Sequence, residues 1–119
     1  MVMFERFMKN TAPYHGKMMV YKGASFDALR HDEIQSQRYD FVYINGVQRA
    51  RNTLEDAVLS FPLLNIGGFM LFDDYLSNIE EPQSIESPKA GVDAFLQIYA
   101  KAYRVAGYGY QLCIQKIAD

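Results

Sequence analysis

The chain has 119 residues, of which 50% are hydrophobic, and its formal net charge is -2. This length and composition predict one globular domain spanning residues 1–119, and the near-neutral charge argues against a nucleic-acid partner. No apolar run approaches the roughly 20 residues of a membrane-spanning helix, and the first ten residues lack the apolar core of a signal peptide. The single cysteine, Cys113, cannot form an internal disulfide. We therefore expect a cytoplasmic protein.

The N-terminal third of the chain predicts two helices and one strand. Apolar side chains at i, i+3 and i+4 within the first ten residues indicate a short amphipathic helix. The run Met-Met-Val-Tyr at 18–21 is typical of a buried β-strand. Ser25 is a candidate N-cap for a second helix that extends over about 26–34.

The stretch 39–75 predicts a strand, a crossover helix and a second strand. Its two apolar runs, 41–44 and 69–72, are nearly continuous, as in strands of a buried parallel sheet. Between them, apolar residues at i, i+3, i+4 and i+7 over 54–61 indicate an amphipathic helix. Because a parallel crossover is almost always right-handed and returns the second strand in the same direction, both strands should end at one edge of the sheet, where open α/β sheets bind ligands.

The C-terminal part predicts a polar loop, a helix and a hairpin. The loop covers 76–87 and is long enough to act as a lid. Ser87 followed by Pro88 indicates an N-cap and a proline at the first helical position. The segments 103–106 and 110–117 are predicted to form an antiparallel hairpin.

The order of these elements, with three motifs inside them, resembles the class I S-adenosylmethionine-dependent methyltransferases, and most of all their small-molecule O-methyltransferase branch. The motifs are YKGAS at 21–25, DFVYING at 40–46 and LLNIGGFMLFDDY at 63–75. The resemblance implies an α/β protein with the Rossmann-like, three-layer αβα methyltransferase fold and a C-terminal antiparallel hairpin. It covers only the later part of that domain, because the first two strands and the glycine-rich turn have no counterpart and no GxGxxG-like stretch occurs.

Leaving out two strands has a physical consequence for the predicted sheet. If the family's strand order applies, strands 18–21 and 41–44 are separated by a gap of about 10 Å, at about 4.8 Å per strand. Strand 41–44 then becomes an edge with unpaired backbone groups. Either strand 18–21 moves in beside it, or another chain pairs with it as a homodimer or as the missing upstream half, or the sequence is a fragment of a longer gene product.

The resemblance also implies a site at the ends of the two central strands. In metal-dependent members, acids at these positions hold a divalent cation such as Mg²⁺, and the matching residues here are Asn45, Asp73 and Asp74. The family's histidine falls at Gln48. Asn45 and Gln48 are the candidate catalytic positions, but both are neutral amides, and an amide does not transfer protons near neutral pH.

The S-adenosylmethionine cofactor is implied at a second place, where the family seats its adenine ring. The matching turn consists of Ala24, Ser25 and Phe26. The residue patterns also allow simpler interpretations: Asp73 and Asp74 can cap the loop that follows them, and Ser25 can be an N-cap.

Two functions are open at this stage. The first is S-adenosylmethionine-dependent transfer of a methyl group to an oxygen of a small molecule, here in a truncated form that can be inactive. The second is a non-catalytic Rossmann-like remnant that acts through self-association or by pairing with a partner. The sequence does not identify the substrate.

Overall fold

The computed structural model describes residues 2–45, 49–77 and 84–119. These residues form five α-helices, two short 3-10 helices and one sheet of four strands. In chain order the elements are α1 (Val2–Asn10), a 3-10 helix (Ala12–Lys17), α2 (Ser25–Ala28), α3 (Asp32–Gln35), β1 (Tyr39–Ile44), α4 (Ala50–Ser60), a second 3-10 helix (Phe61–Leu63), β2 (Leu64–Phe72), α5 (Pro88–Ile98), β3 (Tyr103–Tyr108) and β4 (Leu112–Lys116).

The sheet has the strand order β1-β2-β4-β3. β1 and β2 are parallel, with Val42 opposite Met70 and Ile44 opposite Phe72. β4 runs antiparallel to both β2 and β3. The α/β class, the parallel central pair and the C-terminal hairpin are therefore confirmed.

The hydrophobic core lies on one face of the sheet. Met70 and Phe72 of β2 are fully buried there, and their neighbours across the sheet on β4 are equally inaccessible. Helices α4 and α5 cover this face and pack closely against each other. The core residues are Ile44, Ala57, Phe61, Leu64, Met70, Phe72, Tyr75, Val92, Phe95, Ala102, Leu112 and Ile114.

The opposite face carries apolar side chains that remain accessible. Phe41 of β1 is 57% exposed, and its register partner Phe69 of β2 is 37% exposed. Tyr43 is 48% exposed, and its register partner Leu71 is half-buried. Because alternate residues of a strand point to the same side, these four lie on one surface, which we call the bare sheet face.

The strand predicted over 18–21 is wrong. Residues 18–24 form no strand, although the backbone at Met18 is extended, with φ -139° and ψ 151°. A strand is stable only when its backbone N-H and C=O groups pair with a neighbour, and this segment does not pair with β1. Among the described residues, β1 is consequently an edge strand with one side unpaired.

The second predicted helix is divided in two, and its predicted N-cap is wrong. α2 ends at Ala28, and α3 begins at Asp32. The residue before α2 is Ala24, which makes no side-chain cap. The hydroxyl of Ser25 instead donates a hydrogen bond to Asp56 on α4, 2.7 Å away, so tertiary structure uses the group that local capping would have used.

β2 begins five residues earlier than the apolar run suggested. The glycine pair at 67–68 lies inside the strand, where the register with β1 shifts between Tyr39 and Phe41. Gly67 adopts φ +92°, which favours glycine, and a Cβ on Gly68 would lie 2.9 Å from the carbonyl oxygen of Asp40. The pair therefore allows an irregularity in the ladder without ending the strand.

Candidate functional site

The ends of β1 and β2 meet at one edge of the sheet, as the sequence predicted. The backbone N-H of Asp73 donates a 3.1 Å hydrogen bond to the carbonyl of Ile44, which immediately precedes Asn45. The parallel pairing thus brings Asn45 and Asp73 to the same place, because both strands run in the same direction before they end.

The carboxylate of Asp73 is surrounded by hydrogen-bond donors. The phenol of Tyr43 donates to Oδ2 at 2.6 Å, and the side-chain amide of Gln111 donates to Oδ1 at 2.8 Å. The backbone N-H of Asp74 also donates to Oδ1, at 3.0 Å. Both oxygens of Asp73 therefore already accept hydrogen bonds from neutral groups of the protein.

Asp74 is held in a similar way from the C-terminal hairpin. The phenol of Tyr110 donates to its Oδ1 at 2.7 Å. Its backbone has φ 55°, the left-handed region that aspartate tolerates better than most residues. The turn that follows closes with a hydrogen bond from the N-H of Ser77 to the Asp74 carbonyl, 3.0 Å.

These contacts shift the acidity of the groups involved. Hydrogen bonds from Tyr43 and Gln111 lower the pKa of Asp73, because they stabilise its charged form. The same contact raises the pKa of Tyr43, since a phenol that donates to a carboxylate loses its proton less easily. The hydrogen bond to Asp74 likewise raises the pKa of Tyr110. The edge therefore carries an ionised Asp73 that is held by the neutral phenol of Tyr43.

A divalent cation does not fit this donor set well. Asn45 contributes an amide, and a cation at Asp73 would compete with the phenol of Tyr43 and the amide of Gln111 for the carboxylate oxygens. Within residues 2–45, 49–77 and 84–119, no group of three or more His, Cys, Asp or Glu side chains is arranged to hold a metal ion. The metal role of Asn45, Asp73 and Asp74 stays a prediction that these contacts do not favour.

A cavity of about 290 Å³ opens between α2, β1 and α4. Its lining includes both Ser25 and Asn45, so two residues predicted for different parts of the site face one space. Asp56 and Ser60 of α4 also line it. The volume is near the lower end of the roughly 300–1,000 Å³ of small-molecule sites.

Asp56 is a buried acid that the sequence pattern placed off the apolar stripe of its helix. It is 9% exposed and accepts a hydrogen bond from Ser25. Burial raises its pKa, and the hydrogen bond from Ser25 opposes that shift only in part. The pair ties α2 to α4 across the cavity.

Tyr75 secures the turn after β2 to the covered face. Its hydroxyl donates to Asp93 of α5 at 2.6 Å, and Asp93 also pairs with Lys89 at 2.6 Å. Burial and the hydrogen bond to Asp93 raise the pKa of Tyr75 to about 12. The phenol therefore remains neutral. Its hydrogen bond to Asp93 holds the turn that carries Asp73 and Asp74 against α5.

The remaining predicted site residues are placed as follows. Ala24 and Phe26 flank Ser25 but do not line the cavity, and the Phe26 ring instead lies 5.8 Å from the guanidinium of Arg30. Gln48 lies outside the described residues. As cofactor-binding and catalytic residues, all three stay predictions.

Sequence reasoning missed Tyr43, Gln111 and Tyr110. Tyrosine is common in strands, so a tyrosine in a predicted strand does not by itself indicate a functional site. The predicted hairpin offered one clue to Tyr110 and Gln111. These two residues begin its second strand, and an antiparallel strand beside β2 would start next to the end of β2, where Asp73 and Asp74 lie.

Comparison with known families decides where the chain belongs. The family model described as a methyltransferase domain matches residues 3–75, more than half of the chain. The chain belongs to this methyltransferase-domain family. Among curated protein sequences, none matches it significantly.

Solved structures share the fold of this methyltransferase domain. The O-methyltransferase NovP superposes with a TM-score of 0.69 at 17% identity, over 95% of this chain and 44% of that protein. An O-methyltransferase from Bacillus cereus, solved in complex with SAH, superposes with a TM-score of 0.70 at 16% identity, over 92% of this chain and 56% of that protein. The chain therefore spans about half the length of these structures, and the resemblance to the later part of a methyltransferase domain is confirmed.

No helix among the described residues is both long and apolar enough to cross a lipid bilayer.

Proposed function

We propose that the chain is the later part of an S-adenosylmethionine-dependent methyltransferase domain whose acceptor is a hydroxyl oxygen of a small molecule. The observation that carries the proposal is the shared edge at which β1 and β2 present Asn45 and Asp73, beside a cavity that reaches Ser25. Ligands of open α/β sheets bind at this kind of edge. The family match over residues 3–75 agrees with it.

The role assigned to this edge is mainly to orient the acceptor hydroxyl. When bound, S-adenosylmethionine would supply an electrophilic methyl group: the S-CH₃ bond would break as the O-CH₃ bond forms, leaving S-adenosylhomocysteine, and the proton of the acceptor hydroxyl would pass to solvent water. Asp73 can accept a hydrogen bond from that hydroxyl if it exchanges one of its present donors. Its lowered pKa makes it a poor proton acceptor at neutral pH, so its contribution is positioning and electrostatics.

By itself this chain is proposed to bind the cofactor weakly and to be inactive. The sequence contains no glycine-rich turn for the methionine end of the cofactor, and Asn45 replaces an acid. A divalent cation at Asn45, Asp73 and Asp74 is the less favoured version of the proposal, because neutral donors already occupy the Asp73 oxygens. The free thiol of Cys113 fits the reducing cytoplasm.

Titration of the isotope-labelled chain with S-adenosylhomocysteine tests this proposal. We expect NMR shifts that centre on Ser25 and Asn45, with an affinity weaker than micromolar. Asn45→Ala should weaken the binding, whereas Asn52→Ala on the neighbouring helix should not. Absence of shifts around the cavity at millimolar ligand would contradict the proposed function, and micromolar or tighter binding would contradict the account of the missing contacts.

A second function, assembly without catalysis, is favoured by a different observation. The bare sheet face and the free edge of β1 lie together, with Phe41 57% exposed. Natural proteins normally cover or charge such edges. In this version the chain pairs with itself or with a partner, and it does not need to bind a cofactor.

A further inference from the structure

Asp56 of α4 is a buried carboxylate of which only one oxygen is bonded. The residue is 9% exposed, and the hydroxyl of Ser25 donates to its Oδ1 at 2.7 Å. Within the described ranges 2–45, 49–77 and 84–119, no group donates to Oδ2. Every buried side-chain nitrogen or oxygen of these residues has a partner, so Oδ2 keeps an accessible surface. Because Asp56 lines the cavity of about 290 Å³, Oδ2 is available to a ligand that enters it.

The hydroxyl groups around this cavity are available only as acceptors. Ser25 donates its hydrogen to Oδ1 of Asp56, and Ser60, which is 4% exposed, donates its hydrogen to the Asp56 backbone carbonyl at 2.6 Å. The phenols of Tyr21 and Tyr43 likewise donate to carboxylates outside the cavity lining. A hydroxyl has one hydrogen and two lone pairs, so each of these groups can still accept but cannot donate.

This arrangement favours a ligand that brings hydrogen-bond donors. A donor that enters beside Asp56 can bond its Oδ2 and the oxygen of Ser25 or Ser60. An acceptor in the same place would meet only lone pairs, and it would lose its hydrogen bonds to water without replacement. Among the described side chains that line the cavity, the amide of Asn45 alone can still donate, and it lies at the end of β1.

The rest of the lining is largely apolar. Ala28 and Leu29 lie at the end of α2, and Val42 and Ile44 are two residues apart on β1, so they share one face of the strand. Apolar walls with acceptors on one side suit an aromatic ring that carries an amino group on its edge. An alkylammonium ion fits less well, because removing a full charge from water costs more than removing a neutral amine.

We propose that the cavity binds an amino group carried by a flat aromatic ring, and that Asp56 is the residue that selects it. In the bound state, one hydrogen of the amino group is donated to Oδ2 of Asp56 and the other to Oγ of Ser25 or Ser60. The identity of the ring rests on the proposed function, since the adenine of S-adenosylmethionine carries such an amino group. The selection itself follows from the cavity and does not depend on methyl transfer.

NMR titration of the full isotope-labelled chain with two nucleosides tests this selection. Purine riboside differs from adenosine only by a hydrogen atom in place of the amino group. Adenosine should shift the amide signals of Ser25, Asp56 and Ser60, and purine riboside should bind more weakly by about tenfold, because it leaves the carboxylate oxygen unpaired.

Asp56→Asn should abolish the preference for adenosine, because the side-chain NH₂ group that replaces Oδ2 is a donor and faces the amino group of the ligand. Asp27→Asn is the matched control: it makes the same change of charge on α2, but Asp27 is exposed and does not line the cavity. This variant should keep the preference. The dispersion of the amide signals establishes that each variant is folded, and the comparison of the two nucleosides on the unmodified chain does not depend on any variant.

Three results would overturn the inference. They are equal affinities for adenosine and purine riboside, a preference that survives Asp56→Asn, and shifts of the same residues by butylammonium at equal concentration. If S-adenosylhomocysteine still binds in the cavity, the proposed function stands without the amino-group selection. Absence of any response to adenosine at millimolar concentration contradicts the inference, and absence of a response to both ligands contradicts the proposed function as well. Binding of adenosine but not of S-adenosylhomocysteine would support the inference and contradict the proposed function alone.

Discussion

At the scale of single residues, the edge of the sheet is organised by hydrogen bonds from neutral side chains to two acids. Tyr43 and Gln111 hold the two oxygens of Asp73, and Tyr110 holds Asp74. These donors come from β1 and from residues 109–111 between β3 and β4, so two separate parts of the chain converge on the turn after β2. Both carboxylates are thereby fixed in orientation, and the charged form of Asp73 is stabilised.

Replacing Tyr43 by phenylalanine should raise the pKa of the Asp73 carboxyl. The phenol is the largest cause of the lowered value, so its loss moves the pKa back toward the ordinary value of about 3.9. Because the folded-state pKa is the lower one, the stability that this carboxylate contributes is present above about pH 4 and is lost as the pH falls through the folded-state value. The stability difference between the unmodified chain and the variant should therefore be seen at neutral pH and disappear in acid.

Carbon-13 NMR titration of the Asp73 carboxyl measures this shift directly, and urea unfolding across the same pH range measures the linked stability. Tyr14→Phe is the control, since Tyr14 is 61% exposed in the first 3-10 helix. An Asp73 pKa that does not change in the Tyr43→Phe variant would show that the phenol does not stabilise the charge.

At the scale of elements, the covered face depends on the close approach of α4 and α5. Gly91 of α5 faces the first turn of α4, where a Cβ would lie only 2.1 Å from the carbonyl oxygen of Ala50. The N-terminus of α5 is in turn fixed by Ser87, which is fully buried and accepts a hydrogen bond from the N-H of Lys89 at 3.3 Å. The close approach of α4 and α5 therefore depends on the absence of a side chain at Gly91 and on the N-cap Ser87.

Gly91→Ala should separate the two helices and destabilise the domain. Neither backbone can move without disturbing the core beneath it, and overpacking of this kind costs about 1–3 kcal/mol in the free energy of unfolding. Gly109→Ala is the matched control, because nothing lies within 4 Å of the position that its Cβ would take. Urea unfolding followed by circular dichroism gives both values, and equal effects of the two substitutions would refute this account of the contact.

At the scale of the whole molecule, the sheet is unequal on its two sides. One side carries the aromatic core, in which the Phe95 ring lies 5.4 Å from that of Phe61 and 6.0 Å from that of Phe72. The other side exposes Phe41 and Phe69. Stability should therefore come almost entirely from the covered side, while the bare side remains available for assembly.

Truncation of one phenylalanine on each side tests this inequality. Phe72→Ala should cost about 3–5 kcal/mol, as expected for a fully buried phenylalanine. Phe41→Ala, on the adjacent strand, should cost a small fraction of that in dilute solution where the chain is monomeric. Denaturant unfolding at low protein concentration compares the two, and similar losses would mean that the bare sheet face is covered even in the monomer.

The sequence by itself determined the α/β class, the parallel central pair, the α5 N-cap and the C-terminal hairpin. These features depend on local patterns: apolar runs of strand length, the Ser-Pro start of α5, and alternation along β4. Asn45 and Asp73 could also be placed together, because two parallel strands joined by a crossover must end on the same side. The methyltransferase family followed from motifs within the same segments.

Only the tertiary structure decided how the polar groups are used and which apolar surfaces remain open. Ser25 is the first residue of α2 and its hydroxyl bonds Asp56 on α4, and the 18–21 run forms no strand because no neighbouring strand pairs with its backbone. Tyr43, Gln111 and Tyr110 reach the two acids through contacts 30 to 38 residues apart in the chain, which no local pattern encodes. Hydrogen bonding and burial depend on what lies across the fold, so these assignments required the assembled sheet.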